Sequence, residues 1–279
     1  MEVGMVAESI KALVLGIVQG ITEWLPISST GHLLLLDSLL KLSLSSEAKE
    51  LFLVIIQLAS ILAVVILYFS TLNPFAPSKD KEAKKSTYIL WAKVLVATLP
   101  AGVVGVLIDD FMDSHLYRWE VVALALFGYG VLYIFLEKGR WGTQEKRVKR
   151  LEDISYRDAL KLGLFQMLAL VPGTSRSGST ILGGIIIGIE RSVVAQFSFF
   201  MAIPVMAGAS LLKLIKLGFS YTNAEYYLLA MGFVSSFIVS FFCIKALIAY
   251  VRKHDFSVFG FYRVALAVVV VIYFLGVGI

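Results

Sequence analysis

Apolar residues fill this chain in long runs separated by short polar stretches. Six runs approach the ~20 residues that a membrane-crossing helix needs. They cover residues 49–71, 89–108, 119–137, 194–215, 225–248 and 258–278. Two further regions are apolar but broken. Residues 9–40 contain GIVQGITEWLPISSTGHLLLL, and residues 156–190 contain GLFQMLALVPGTSRSGSTILGGIIIG. Each reads as a helical arm, a Pro/Ser/Gly turn and a second arm, the arms being about 13–16 residues and short for a crossing. A helix broken at membrane depth is tolerated where protein or a cavity shields its backbone. Both regions are therefore predicted to be re-entrant helical hairpins.

The two broken regions match each other. Shifted by 147 positions, they align without a gap, pairing Ala12 with Ala159, Leu13 with Leu160, Gly16 with Gly163 and Gln19 with Gln166. Ser28 then meets Ser175, Gly31 meets Gly178, and further on Phe52 meets Phe199. Three spans follow each copy. A hairpin that returns to its own side plus three crossings is an odd number, so the second copy should lie upside down relative to the first. That is the inverted-repeat plan, in which broken helices meet near the midplane to build a site. The predicted fold is an all-α integral membrane protein with six transmembrane helices and two re-entrant hairpins in an inverted-topology repeat. Residues 1–279 form one membrane domain, with one repeat at about 9–137 and the other at about 156–278.

Composition agrees. The chain is 58% hydrophobic and only 16% charged, with mean hydropathy +0.84, where a soluble domain is about one quarter charged. Its net charge of +5 reflects topology rather than nucleic-acid binding, because the basic residues sit between spans. Lys79, Lys81, Lys84 and Lys85 lie in loop 72–88, seven Lys/Arg residues in loop 138–158, and Arg252 and Lys253 in loop 249–257. With six spans all three loops fall on one side, which the positive-inside rule makes cytoplasmic. Loop 109–118 opposite carries Asp109, Asp110 and Asp113. Lys213 and Lys216, near an outer end, fit this scheme least well. The first apolar run lacks a basic n-region and holds Gln19 and Glu23, so it is not expected to be a cleaved signal peptide. The single cysteine, Cys243, permits no intrachain disulfide.

Ionisable residues at membrane depth are costly and mark function. Glu23, His32 and Arg176 stand out. Gln19 and Glu23 share a helix face at i,i+4 spacing. The turn Pro26-Ile-Ser-Ser-Thr-Gly-His32 places three hydroxyls beside an imidazole, which titrates near neutrality and can move protons. A serine needs such a base to act as a nucleophile, and either Ser28 or Ser29 qualifies. The second turn, Pro172-Gly-Thr-Ser-Arg-Ser-Gly-Ser-Thr180, suits an anion. Its glycines allow close backbone approach, the following helix N-terminus favours phosphate, and Arg176 offers a planar charged fork. By contrast, Lys93 and Arg263 read as snorkelling side chains near span ends. Trp24 reads as an interface anchor or packing residue, and Glu190 and Arg191 read as an interface marker.

These motifs resemble those of a known family, the bacterial undecaprenyl-diphosphate phosphatases of the BacA type. Gln19-Gly-Ile-Thr-Glu23 resembles its (E/Q)xxxE motif, and Pro172–Thr180 fits its PGxSRSxxT motif. The resemblance extends over the chain, including FSFFMAIPVM at 197–206. It implies hydrolysis of undecaprenyl diphosphate to the monophosphate, recycling the lipid carrier for wall polymers, and a link to bacitracin resistance. Glu23, Ser29, His32 and Arg176 become the expected catalytic residues. Gln19, Ser28, Thr30, Ser175, Ser177, Gly178 and Thr180 are the expected substrate-binding set. His32 is expected to be oriented by Glu23 and to activate Ser29 or a water. Position 19 is Gln rather than Glu, which leaves Glu23 as the one strong acidic ligand for a divalent cation (Mg2+ or Ca2+). No organic cofactor is expected. The expected partners are a polyprenyl diphosphate lipid and membrane lipid, not nucleic acid, with a homodimer left open. The expected location is the bacterial cytoplasmic (inner) membrane, with the site opening to the outer face. The competing reading is a transporter or flippase of prenyl phosphate lipids, because inverted repeats with broken helices are typical of transporters.

Overall fold

A computed structural model describes residues 2–218 and 220–278. Of the acidic loop read from the sequence, the side chains of Asp109, Asp110 and Asp113 lie outside the described residues. The chain is all-α. In order, its helices are α1 (Glu2–Thr22), α2 (Ser29–Leu40), α3 (Ser46–Leu67), α4 (Phe69–Leu72), α5 (Lys81–Phe111) and α6 (Trp119–Lys138). Then come α7 (Arg140–Thr143), α8 (Tyr156–Met167), α9 (Arg176–Ile186), α10 (Arg191–Leu217), α11 (Asn223–Val251) and α12 (Ser257–Val277). Among the described residues, seven of these helices are long and apolar enough to cross a membrane: α1, α3, α5, α6, α10, α11 and α12.

That is one more than the six expected, and the addition is α1. Its helix does not begin near Ser9. It runs back to Glu2, so the first arm has 21 residues and a length of about 31 Å. Lys11 pairs with Glu8 one turn earlier at 2.7 Å, which stabilises this extension modestly. The other three arms are short as expected: α2 has 12 residues, α8 has 12 and α9 has 11.

Each broken region is tied together at its feet. In the first, Glu8 Oε2 accepts the backbone N–H of Ser43 at 2.7 Å. In the second, Arg147 donates to both carboxylate oxygens of Asp158 at the start of α8 and to the Ile187 carbonyl after α9. Burial works against the charge on Asp158, but Arg147 and the Ser155 cap hold it below the usual carboxylate range. The two pairs of feet sit in different neighbourhoods. Near the first, Ser45 bonds Glu225 at the start of α11, and Lys213 faces Glu50 at 4.0 Å, which offsets one of the two badly placed lysines. Near the second, Arg191 pairs with the buried Glu137, which also accepts the Phe256 N–H. Arg191 is thus part of an inter-helix clasp, while Glu190 accepts the Ser192 hydroxyl beside it.

Packing follows the same division. α1 lies along α11, α8 along α5, α3 against α10 and α6 against α12. Gly16 and Gly163 make the first two contacts possible. A methyl at Gly16 would collide with Gly232 and Ser235, and one at Gly163 with the Ala97 carbonyl. Trp24, Phe197, Phe199 and Phe200, all fully buried, fill the centre beneath the turns. Trp24 is therefore a core residue and not an interface anchor. It meets Phe199 edge-on, with ring centroids 5.2 Å apart.

Candidate active site

The α1–α2 and α8–α9 turns meet inside the bundle. Both are built the same way. Ser28 and Ser175 are N-caps with positive φ, 72° and 74°. Each hydroxyl accepts the N–H of the glycine three residues on, Gly31 at 3.3 Å and Gly178 at 3.1 Å. This is ordinary N-capping chemistry on a backbone that non-glycine residues rarely adopt. The consequence is positional. The first residue of each following helix, Ser29 in α2 and Arg176 in α9, points toward the same carboxylate.

That carboxylate is Glu23, 7% exposed. Its Oε1 accepts Arg176 Nη2 at 3.0 Å, and its Oε2 accepts Ser29 Oγ at 3.2 Å and Gln19 Nε2 at 3.1 Å. Arg176 also donates through Nη1 to the Ser198 carbonyl at 2.8 Å and to Ser198 Oγ at 3.2 Å. Its guanidinium lies 5.6 Å from the centroid of Trp24. Thr180 Oγ1 closes this side, 2.6 Å from Ser198 Oγ. Ser177 joins the turns directly: it lies 3.2 Å from Ser175 Oγ and donates to the Leu25 carbonyl at 3.3 Å. Thr30 follows Ser29, half-buried, in the first turn of α2.

His32 stands apart from this network. Its Nδ1 lies 2.8 Å from the Ser28 carbonyl and its Nε2 2.7 Å from the Tyr262 hydroxyl, and the two rings stack with centroids 5.6 Å apart. Glu23 therefore orients Ser29, whereas His32 is oriented by Ser28 and Tyr262. The expected Glu23–His32 pairing gives way because one turn of α2 separates His32 from the carboxylate, and α12 supplies its partner.

Arg263 overturns its sequence reading. It does not snorkel. It is fully buried and donates to Pro26 O at 3.3 Å, Gly173 O at 2.9 Å and Ala125 O at 3.3 Å. One guanidinium thus binds the backbone of both polar turns and of α6. Gly173, with φ of 91°, presses against the Val122 carbonyl where a methyl would not fit. Lys93 is likewise committed, to the Glu152 carbonyl at 3.0 Å. Position near a span end suggested snorkelling for both. A signal for Arg263 was available in its depth, seven residues into an otherwise apolar helix.

Charge divides unevenly. Arg176 is matched by Glu23, whereas the contacts to Arg263 are carbonyls and the Tyr129 ring. Among the described residues no group of three His, Cys, Asp or Glu side chains is poised to hold a metal ion. Among the described residues Glu23 is the carboxylate that faces both turns.

The fold and this centre define an integral membrane protein with a carboxylate-bound serine and two guanidinium groups buried between broken helices. The chain belongs to the family described as Bacitracin resistance protein BacA, whose profile matches residues 12–269. It is 52% identical over 268 residues to "Undecaprenyl-diphosphatase" of Enterococcus faecalis, covering 95% of this chain and 97% of that one. It is 50% identical over 274 residues to "Undecaprenyl-diphosphatase 1" of Clostridioides difficile, covering 98% and 99%. It is 50% identical over 270 residues to "Undecaprenyl-diphosphatase" of Acetivibrio thermocellus, covering 97% and 99%.

Proposed function

We propose that this multi-pass membrane protein hydrolyses undecaprenyl diphosphate to undecaprenyl phosphate and inorganic phosphate. The reaction returns the lipid carrier to peptidoglycan synthesis, and its capacity bears on bacitracin resistance. The observation that carries the reading is the bond from Ser29 Oγ to Glu23, with Arg176 on the opposite carboxylate oxygen, in a chain of the BacA family.

Ser29 Oγ attacks the terminal phosphorus and passes its proton to Glu23. The bond to the bridging oxygen breaks, and the lipid monophosphate leaves with the electron pair. Water then attacks the phosphoserine, Ser29 recovers its proton from Glu23, and inorganic phosphate departs. Arg176 and the α9 N-terminus neutralise charge building on the transferred group, the usual source of catalysis in phosphoryl transfer. Arg263 keeps the cleft electropositive, and His32, held by Ser28 and Tyr262, stays at the edge of the headgroup as the imidazole of the first turn. Gln19, Ser28, Thr30, Ser175, Ser177, Gly178 and Thr180 line the headgroup. Glu23 would hold a divalent cation, Mg2+ or Ca2+, which would supply further neutralisation of phosphate charge.

The broken regions are re-entrant hairpins of two inverted repeats, 9–137 and 156–278. The separately tied feet, the paired positive-φ serines and the matched helix contacts support this. The bacterial cytoplasmic membrane holds the protein with its basic loops inside and the cleft open outward. A homodimer belongs to the same reading and is checked by mass measurement of the detergent-solubilised particle. The deciding experiment is phosphate release by purified protein in detergent, which transport alone would not give. Turnover is expected, lost on chelation and restored by Mg2+ or Ca2+. No release from a polyprenyl diphosphate under any metal condition would sink the proposal.

A further inference from the structure

Away from the turns, α5 and the start of α8 border a shallow open groove of about 440 Å³. Lys81, Lys84, Lys85, Tyr88, Ile89 and Ala92 line it from α5, and Tyr156 faces them from α8. Their spacing puts the α5 residues on one helix face, while Glu82 falls off that stripe. All three lysines are exposed, and among the described residues none of them forms an ion pair.

The lining is graded along the axis. Three ammonium groups occupy the N-terminal end of α5, where the helix dipole adds positive potential. Tyr88 and Tyr156 come next, half exposed at 53% and 49%, in the manner of interfacial aromatics. Ile89 and Ala92 follow, Ala92 lying about 16 Å beyond Lys81. Phosphate, glycerol and acyl chain follow each other in that order down a phospholipid.

We propose that this groove binds one anionic phospholipid of the adjoining leaflet, with its phosphate among Lys81, Lys84 and Lys85 and its acyl chain along Ile89 and Ala92. Charge complementarity selects an anionic headgroup, since each lysine near an anionic membrane surface favours binding. The apolar floor selects a lipid over a free phosphate. The groove is separate from the Glu23–Arg176 centre, so the inference does not depend on the reaction assigned there.

The test uses the full-length protein, delipidated in a neutral detergent, and reads binding by native mass spectrometry and thermal shift. The probes are phosphatidylglycerol, phosphatidylcholine of the same acyl chains, and inorganic phosphate. The expected result is one phosphatidylglycerol retained per chain, a raised melting temperature, and little effect of the other two. Lys81→Gln/Lys84→Gln/Lys85→Gln should weaken phosphatidylglycerol binding on the order of a hundredfold. The control Lys213→Gln/Lys216→Gln/Lys253→Gln removes the same charge elsewhere and should not. Equal loss in both triple variants would make the attraction nonspecific and overturn the site. Equal protection by inorganic phosphate or by phosphatidylcholine would overturn the anionic-lipid assignment.

Discussion

The two polar turns share a backbone and differ in chemistry. Both have a positive-φ serine whose hydroxyl caps a glycine N–H three residues on. At the next position one has Ser29 and the other Arg176. Four residues after the matched glutamines, one has Glu23 and the other Leu170. Gln19 is therefore bonded to a carboxylate, while both polar atoms of Gln166 are buried without a protein partner. One frame thus delivers a hydroxyl and a guanidinium to a single carboxylate, and only one copy has to supply that carboxylate. A shared backbone gives the geometry, and a few differing side chains give the division of labour.

The sharpest way to break this comparison is at the matched pair. Ser29→Ala should lower kcat by about 10⁴ or more if the serine is the nucleophile, and a quench after brief turnover should find phosphate on the normal protein only. Near-normal turnover of Ser29→Ala would move the attack to water. Next comes the carboxylate. Glu23→Leu leaves Arg176 buried and unpaired, at about 3–5 kcal/mol of stability, so both melting temperature and rate should fall. The double variant Glu23→Leu/Arg176→Leu should regain much of the stability and none of the rate. Recovery of neither would mean that the pair does not act as a unit.

Arg263→Met tests whether the turns are held together from outside. It strands three buried carbonyls, each worth about 1–3 kcal/mol. Arg263→Lys should recover part of the stability but not the geometry of both turns, which urea melts and phosphate release would report separately. The smallest effect compares the glutamines. Gln19→Leu should slow turnover by roughly one order of magnitude through loss of a bond to Glu23, which at ~1–2 kcal/mol is about tenfold. Gln166→Leu should be neutral or slightly stabilising, because it removes a buried amide without partners. Equal loss at both positions would erase the asymmetry between the turns.

Much of this was legible before any coordinates. Hydrophobic runs define the spans, and the 147-residue shift aligns the turns. Glu23, Ser29 and Arg176 come together as their chemistry demands. What escaped was set by long-range packing. Periodicity cannot tell that α1 continues to Glu2, because the first turns are amphipathic rather than apolar. It cannot tell that His32 is matched by Tyr262, 230 residues away. Nor can it tell that Arg263 reaches inward, since the carbonyls that receive it are backbone atoms with no sequence signature.

The two capping serines have one more consequence. A non-glycine residue in that conformation costs on the order of 1–3 kcal/mol, whereas exchanging a serine cap for glycine loses only a few tenths. Ser28→Gly and Ser175→Gly should therefore make the protein more heat-resistant. A selection for durability alone would drift to these two positions and would loosen the frame that aims Ser29 and Arg176. Serine at these two positions gives up some resistance to heat in exchange for a fixed direction at Ser29 and Arg176.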